Sequence, residues 1–538
     1  MRHTAALFAT SLVVRAVHWL ASPQQREPFE ASYQGDAPYW QQLANGTAGL
    51  ESLLPFRPPA MGWFARAMWD GGADAFVPRA VMVVLGALVA PLLYLALRRS
   101  FAPRIALLAA WICALSNALI VLGNGVHGEI PYLLLFVATL PDFERLRQSN
   151  APLAAVRWSL LHALACLFRA DHLLCVVVSL LWLAWTSRMT RARDLGIAIA
   201  TFTLALLPWQ LHVGQRIADF NSGAIGAPAP RLPLPSSLPW DEEPLAAVRA
   251  LPPFAQLATA GFVGDTVRVR GGTRVSKADL GILDEAYGCG PEPVHTPLLA
   301  LYGPLNFFLA NCTESNGGFT RAALDRTPPL HGGPGRYPPG LLQVLPRELE
   351  LSYPPHLLAV NHGYRLGLTW WIEHPADGLA LVVHKLTLSW RGAAAGFGLG
   401  NLPLARSGIR EPVDLVVADG FFAAIWRAAL LVLAGLGAFR LRREPAIAAL
   451  AIWLATKLVI IAAFFGYARL GALCIPTLAV LWSAALLPRS RTEFPTLRPR
   501  VLILACLAIG LEVLIARPWA SADVSGSTGP HDRAVVRY

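Results

Sequence analysis

The chain has 538 residues, of which 55% are hydrophobic and only 15% charged, and its mean hydropathy is +0.46. That balance excludes an ordinary soluble globular domain and places the chain in lipid. The net charge of +11 does not point to nucleic acid, because the basic residues fall in short clusters between apolar runs, where determinants of membrane topology sit.

A helix crosses the hydrocarbon layer with about 20 apolar residues, and about eleven stretches qualify. In chain order they run over residues 4–21, 76–97, 104–122, 126–140, 156–168, 172–186, 194–211, 420–439, 445–465, 469–487 and 501–516. The expected fold is an all-α polytopic membrane protein. The first stretch reads as a retained span, since no small-residue cleavage site follows Leu20. Arg98, Arg99 and Arg104 form one basic cluster; Arg145, Arg147 and Arg157 a second; Arg188, Arg191 and Arg193 a third. Arg440, Arg442 and Arg443 follow, then Arg489, Arg491, Arg498 and Arg500. With eleven spans these clusters fall in every second loop, on the side of Arg2, so the N-terminus is expected in the cytoplasm of a cell inner (plasma) membrane.

The organisation that follows is an N-terminal transmembrane module, 1–211, whose first external loop is 22–75; an external region, 212–419, between the seventh and eighth spans; C-terminal spans within 420–516; and an external tail, 517–538. The 212–419 region is rich in Pro and Gly yet contains LLALYGPLNFFLA and YRLGLTWWIEH, and is expected to be a partly folded periplasmic or otherwise external layer. No internal repeat is visible, which weighs against a rocking transporter. Cys113, Cys166, Cys175, Cys474 and Cys506 lie in apolar segments as small hydrophobes, whereas Cys289 and Cys312 are the pair that an oxidising compartment would join.

Polar residues converge on the external side. Asp36, in GDAPYWQQLANG, has two open readings: a general base for an acceptor hydroxyl or amine, or a cap before Pro38. Glu129 lies at the mouth of the fourth span, two residues after His127, where an ionisable group faces a polar cavity or a neighbouring loop. LFRADHLL puts Arg169, Asp171 and His172 in one tight turn; the Arg fork suits phosphate oxygens, or pairs with Asp171. Lys385 lies on an apolar stretch that reads as an interfacial helix, reaching a lipid phosphate or snorkelling to headgroups. Lys457, inside the ninth span, must find an acceptor in the bundle. Tyr467 and Arg469 stand at the turn before the tenth span, as phosphate contacts or interfacial anchors. Asn45 and Asn311 head N-glycosylation triplets. No P-loop, GxGxxG, HExxH, GxSxG or zinc-ligand spacing is present.

The ordered set, GDAPYWQQLANG, a Pro-Pro segment, HGEIPYLLL, LFRADHLL, LPWQLHVGQRI and GYARLGALCIP, resembles the polytopic glycosyltransferases of the GT-C fold. It is most similar to glycosyltransferase family 39, the dolichyl-phosphate-mannose protein mannosyltransferase and lipid A aminoarabinose transferase group, over roughly residues 1–220 and 370–490. The resemblance implies transfer of a sugar from a polyprenyl-phosphate carrier to an acceptor glycan, lipid or protein on the external face, with inversion. It implies Asp36 and Glu129 as catalytic carboxylates, Arg169, Lys385, Tyr467 and Arg469 around the carrier phosphate, and Tyr39, His127, Asp171 and His172 lining the site. Many members carry two adjacent acidic residues in the first loop, whereas Asp36 stands between Gly35 and Ala37, so no metal or other cofactor is expected. A transporter or flippase of lipid-linked sugars stays open as the alternative.

Overall fold

The structure, a computed structural model, describes residues 2–21, 37–46, 54–69, 76–148, 151–186, 192–222, 293–320, 354–398 and 421–487, with residues 224, 323, 349 and 351 and three short strands. The first helix, α1, is Arg2–Ala21, and the first loop carries α2, Ala37–Ala44, and α3, Ala60–Met68. Then come α4, Phe76–Leu97; α5, Pro103–Leu115; α6, Asn117–Leu122; α7, Glu129–Gln148; α8, Pro152–Phe168; α9, His172–Thr186; and α10, Ala192–Asn221. The region between the two sets of spans contributes α11, Tyr302–Ala310; α12, Pro354–Glu373; and α13, Pro375–Ala393. The C-terminal part holds α14, Phe421–Leu441; α15, Ala448–Ala463, entered through the 3-10 turn Pro445–Ile447; α16, Ala468–Ala472; and α17, Ile475–Leu486.

Helices therefore lie at every expected span up to residue 487, while 501–516 and the tail lie outside the described residues. By length and composition α4, α10, α14 and the Pro445–Ala463 segment are able to cross a membrane; α5, α8, α9 and α17 are apolar but shorter. In hydrocarbon a backbone must satisfy its own hydrogen bonds, which is why apolar runs such as FVPRAVMVVLGALVAPLLYLAL become helices.

Three expectations are corrected. The stretch 104–122 is not one helix: it breaks at Ser116, whose extended backbone pairs with Phe397. Asn117 N donates to Gly396 O (2.9 Å) and Gly398 N to Leu115 O (2.6 Å), so the segment after α13 supplies the bonds that the break removes from the helix. The fold is mostly helical, not all-α: Phe262–Val263, Thr266–Arg268 and Arg274–Ser276 form a small antiparallel sheet in the order β1-β2-β3. Helix α13 also does more than lie at an interface. It packs along α16 and α15, and Lys385, Ser389 and Gly392 are buried. A side chain at Gly471 would collide with the Ser389 carbonyl, so the missing Cβ is what lets the two backbones approach.

The main core joins both ends of the chain. Helix α17 packs on α5 and α14, while α4, α7 and α8 supply the remaining layers around Trp158, Phe136, Trp453 and Trp482. A second, separate core forms where Phe56 of the first loop, Val213, Ile217 and Phe220 of α10, Leu305 and Phe308 of α11, Val360 of α12 and Phe465 meet. Polar ties fix it: Asn221 exchanges hydrogen bonds with both backbone groups of Val294 (2.9 and 3.0 Å), and Trp209 Nε1 donates to Leu299 O (2.9 Å).

Candidate functional site

The end of the bundle that carries the α6–α7 loop, the α8–α9 turn and the α15–α16 junction gathers five charged side chains. Glu129 occupies the first turn of α7, where the helix dipole favours a carboxylate. Its Oε1 accepts Arg169 Nη1 at 3.0 Å and faces Arg469 Nε at a looser 3.7 Å. Arg169 Nε donates to Asp171 Oδ1 at 3.0 Å, and Lys457 Nζ donates to Asp171 Oδ2 at 2.7 Å. Lys457 comes from within α15, six residues and about 9 Å before its end. It is the acceptor-seeking lysine anticipated from the sequence, and Asp171 is the acceptor.

Burial acts on Asp171 first and by itself would raise its pKa, but Arg169 and Lys457 hold the carboxyl well below the usual range. Burial would likewise lower Arg169, yet the carboxylates of Asp171 and Glu129 raise it above the ordinary guanidinium value. Arg169 stays charged. The side chains of Glu129 and Lys457 are nearly sealed, with 4% and 3% exposure, whereas Arg169 at 23% and Arg469 at 31% form the open face. The five named groups comprise three cations and two carboxylates, so the exposed side of the network suits an anion.

Aromatic rings seat the cations. Lys457 Nζ lies 4.8 Å from the Tyr132 ring centre and 5.0 Å from that of Trp453, and the Arg169 guanidinium lies 5.8 Å from the Tyr132 ring. Trp453 stacks on Phe136 at 3.8 Å and donates Nε1 to Leu473 O at 2.7 Å, which links it to the α16–α17 junction. Tyr132 escaped the sequence reading as a site residue, although it stands three residues after Glu129 and therefore on the same helix face. Trp453 has no comparable signal in an apolar span.

The remaining expected residues are more dispersed. His172 is buried behind Tyr132, with its Nδ1 2.9 Å from the phenolic oxygen. His127 is buried in the loop before α7, its N–H bonded to Gly125 O. Tyr467 lies under the Arg469 guanidinium at 5.2 Å and beside Phe465. Tyr39, on α2, carries the Arg57 guanidinium 4.1 Å over its ring, and Arg57 also faces Trp40 and Tyr302. Asp36 and Cys289 lie outside the described residues; Cys312 has a free, buried thiol that donates to Leu309 O.

Lys385 does not join the Glu129 network. Its fully buried ammonium donates to Asn311 Oδ1 (3.0 Å) and Ala462 O (3.3 Å), and burial lowers its pKa to about 8. Asn311 is itself buried, donating to Phe307 O and Ala463 O (both 2.7 Å) while its Oδ1 also accepts Trp371 Nε1 (2.9 Å). An asparagine so enclosed is a tie between α11, α12, α13 and α15, not an accessible glycosylation site. Asn45, by contrast, is exposed in a turn after α2. Among the described residues no group of three or more His, Cys, Asp or Glu side chains is arranged to hold a metal ion.

Residues 56–212 match the family model described as dolichyl-phosphate-mannose-protein mannosyltransferase. No curated protein matches the sequence. Among solved structures, the oligosaccharyltransferase AglB of Archaeoglobus fulgidus, in complex with an inhibitory peptide and a dolichol-phosphate, is 14% identical, with a TM-score of 0.35. The match covers 94% of this chain and 55% of that one. The same organism's oligosaccharyltransferase in complex with zinc and sulfate is 14% identical, with a TM-score of 0.34, over 94% of this chain and 52% of that one. The chain thus spans about half the length of the solved structures it matches. The stretch 56–212 contains Glu129, Tyr132, Arg169 and Asp171, and in it the chain resembles the dolichyl-phosphate-mannose-protein mannosyltransferases.

Proposed function

We propose that this protein is a multi-pass membrane glycosyltransferase that moves a sugar from a polyprenyl-phosphate carrier to an acceptor glycan, lipid or protein on the non-cytoplasmic face. The observation that carries the reading is the sharing of one carboxylate, Glu129, by Arg169 and the more exposed Arg469 at the bundle end. The family likeness of residues 56–212 supports it.

The chemistry is a single displacement with inversion. The acceptor O–H gives its proton to a carboxylate, for which Asp36 is the assigned base; the acceptor oxygen bonds to the anomeric carbon; and the bond from that carbon to the carrier phosphate oxygen breaks. Charge grows on the departing phosphate, so fixed guanidinium groups stabilise the transition state more than the ground state. Arg469 and Arg169 are assigned to that phosphate, with Tyr467 beneath Arg469. Glu129 keeps both forks aimed at the mouth before the donor arrives. Lys385 is assigned to the external layer. The charge for leaving-group departure comes from these side chains, so the reaction proceeds without a resident metal.

The test is release of free polyprenyl phosphate by full-length protein in nanodiscs supplied with a panel of polyprenyl-phosphate sugars. Arg469→Gln is expected to lower kcat by roughly 30- to 100-fold, the value of one charge-assisted contact to a developing anion. Asp36→Asn is expected to abolish turnover while donor binding persists. Unchanged release by both variants refutes the assignment; transbilayer movement of labelled donor without release refutes the transferase reading altogether.

A further inference from the structure

Behind the charged network a chain of buried polar groups runs through three helices. The Tyr132 hydroxyl on α7 lies 2.9 Å from His172 Nδ1 on α9, and His172 Nε2 lies 2.6 Å from His162 Nδ1 on α8. All three side chains are buried. The imidazoles stack, 4.8 Å apart and 12° from parallel, and His162 rests against Trp158 at 4.1 Å. The Tyr132 ring stands at 88° to His172 and tilts against Trp453 at 5.1 Å, so it is held at its edge and along its side.

Two proton arrangements keep every member neutral: Tyr132 O–H donates to His172 Nδ1 and His172 Nε2–H to His162 Nδ1, or His162 Nδ1–H donates to His172 Nε2 and His172 Nδ1–H to the Tyr132 oxygen. Either arrangement is costly to leave incomplete, because a buried polar group without a partner has given up its water and gained nothing in return. Apolar side chains would fill the same volume without that risk, so the chain needs a purpose other than packing. Its far end is the Tyr132 ring, against which both Lys457 and Arg169 rest.

We infer that Tyr132 is a positioning residue for the anion-binding cations, and that His172, braced by His162, locks its ring by holding the hydroxyl. Ring orientation sets where Lys457 lies. Lys457 holds Asp171, and Asp171 orients the Arg169 fork through Nε, leaving the Arg169 edge for Glu129 and the phosphate. The inference rests on the proposed function in that the anion is the phosphate of a polyprenyl carrier.

The experiment measures binding of polyprenyl phosphate, and separately of the uncharged polyprenol, to full-length protein in nanodiscs. Tyr132→Leu removes the seat and is expected to weaken polyprenyl-phosphate binding about tenfold, leaving polyprenol binding unchanged. Tyr132→Phe keeps the ring but not the lock, and His172→Asn removes the lock from the other side; each is expected to lose about threefold, again for the phosphate ligand alone. A purely structural role would weaken both ligands together or neither. Arg469→Gln separates the two ideas. If it loses phosphate binding while the Tyr132 and His172 variants bind as wild type, the positioning role is overturned and the proposed function stands. If none of the variants loses binding, both fall. Should the leucine variant not fold, the phosphate-specific threefold losses in the other two support the inference, and their absence overturns it.

Discussion

Replacing Lys457 by methionine keeps most of the side-chain volume and removes one charge from the Asp171 carboxylate. In the folded protein that lysine is 3% exposed and bonds Asp171 at 2.7 Å, with Tyr132 and Trp453 rings within 5.0 Å. The loss combines a charge-assisted hydrogen bond, worth about 1.5–3 kcal/mol, with cation–π contacts of about 1 kcal/mol. Against it stands the relief of desolvating an ammonium group inside the bundle. Asp171 also keeps Arg169, so the carboxylate is not left unpaired. The net cost should be roughly 2–3 kcal/mol, smaller than the ~3–5 kcal/mol typical when a buried charge loses its only partner. Equilibrium unfolding in mixed micelles would measure it, within a double-mutant cycle that includes Asp171→Asn. The two single changes should sum to more than the double, with a coupling of about 1–3 kcal/mol. A methionine variant as stable as wild type, with no coupling to position 171, would refute the claim that this pair holds the α8–α9 turn against α15.

Other consequences follow from the same geometry. The Asp171 carboxyl is held below its ordinary value by Arg169 and Lys457, so its stabilising contribution is complete above about pH 4–5 and lost as pH falls below the unfolded value near 3.9; unfolding free energy should drop on acidification, and less steeply in Asp171→Asn. Lys385 gives a slope of the same sign, but in the alkaline range. Its folded pKa, lowered by burial to about 8, lies under the unfolded 10.5, so between those values the unfolded chain binds more protons and stability should rise with pH by about 3 kcal/mol, a rise absent from Lys385→Met. Asn311→Ala should cost about 2–4 kcal/mol, since it takes the acceptor from the Trp371 indole and leaves the Lys385 ammonium its longer bond to Ala462 O, and limited proteolysis should then cut the region around α11 and α12 faster.

Chain chemistry alone determined where the helices are. An apolar run long enough to bury its backbone has few other options in lipid, which is why Phe76–Leu97 and His172–Thr186 fall on the expected residues. The positions of Glu129 and Arg169 were legible for a related reason: a charge beside an apolar run belongs at its end, where it can find a partner.

Only the tertiary structure decided the rest. Lys457 and Asp171 are 286 positions apart, and Lys385 and Asn311 are 74 apart; nothing local in either stretch selects the partner. The break at Ser116 has no Pro or Gly at its centre to announce it, and exists because residues 396–398 offer its backbone other bonds. Tyr132 looks like any aromatic in an apolar helix until α9 brings His172 to its hydroxyl and α8 brings His162 to the far side of that imidazole. Hydropathy constrains one residue at a time, whereas a buried polar group is satisfied by a partner. That choice is made by how the helices pack.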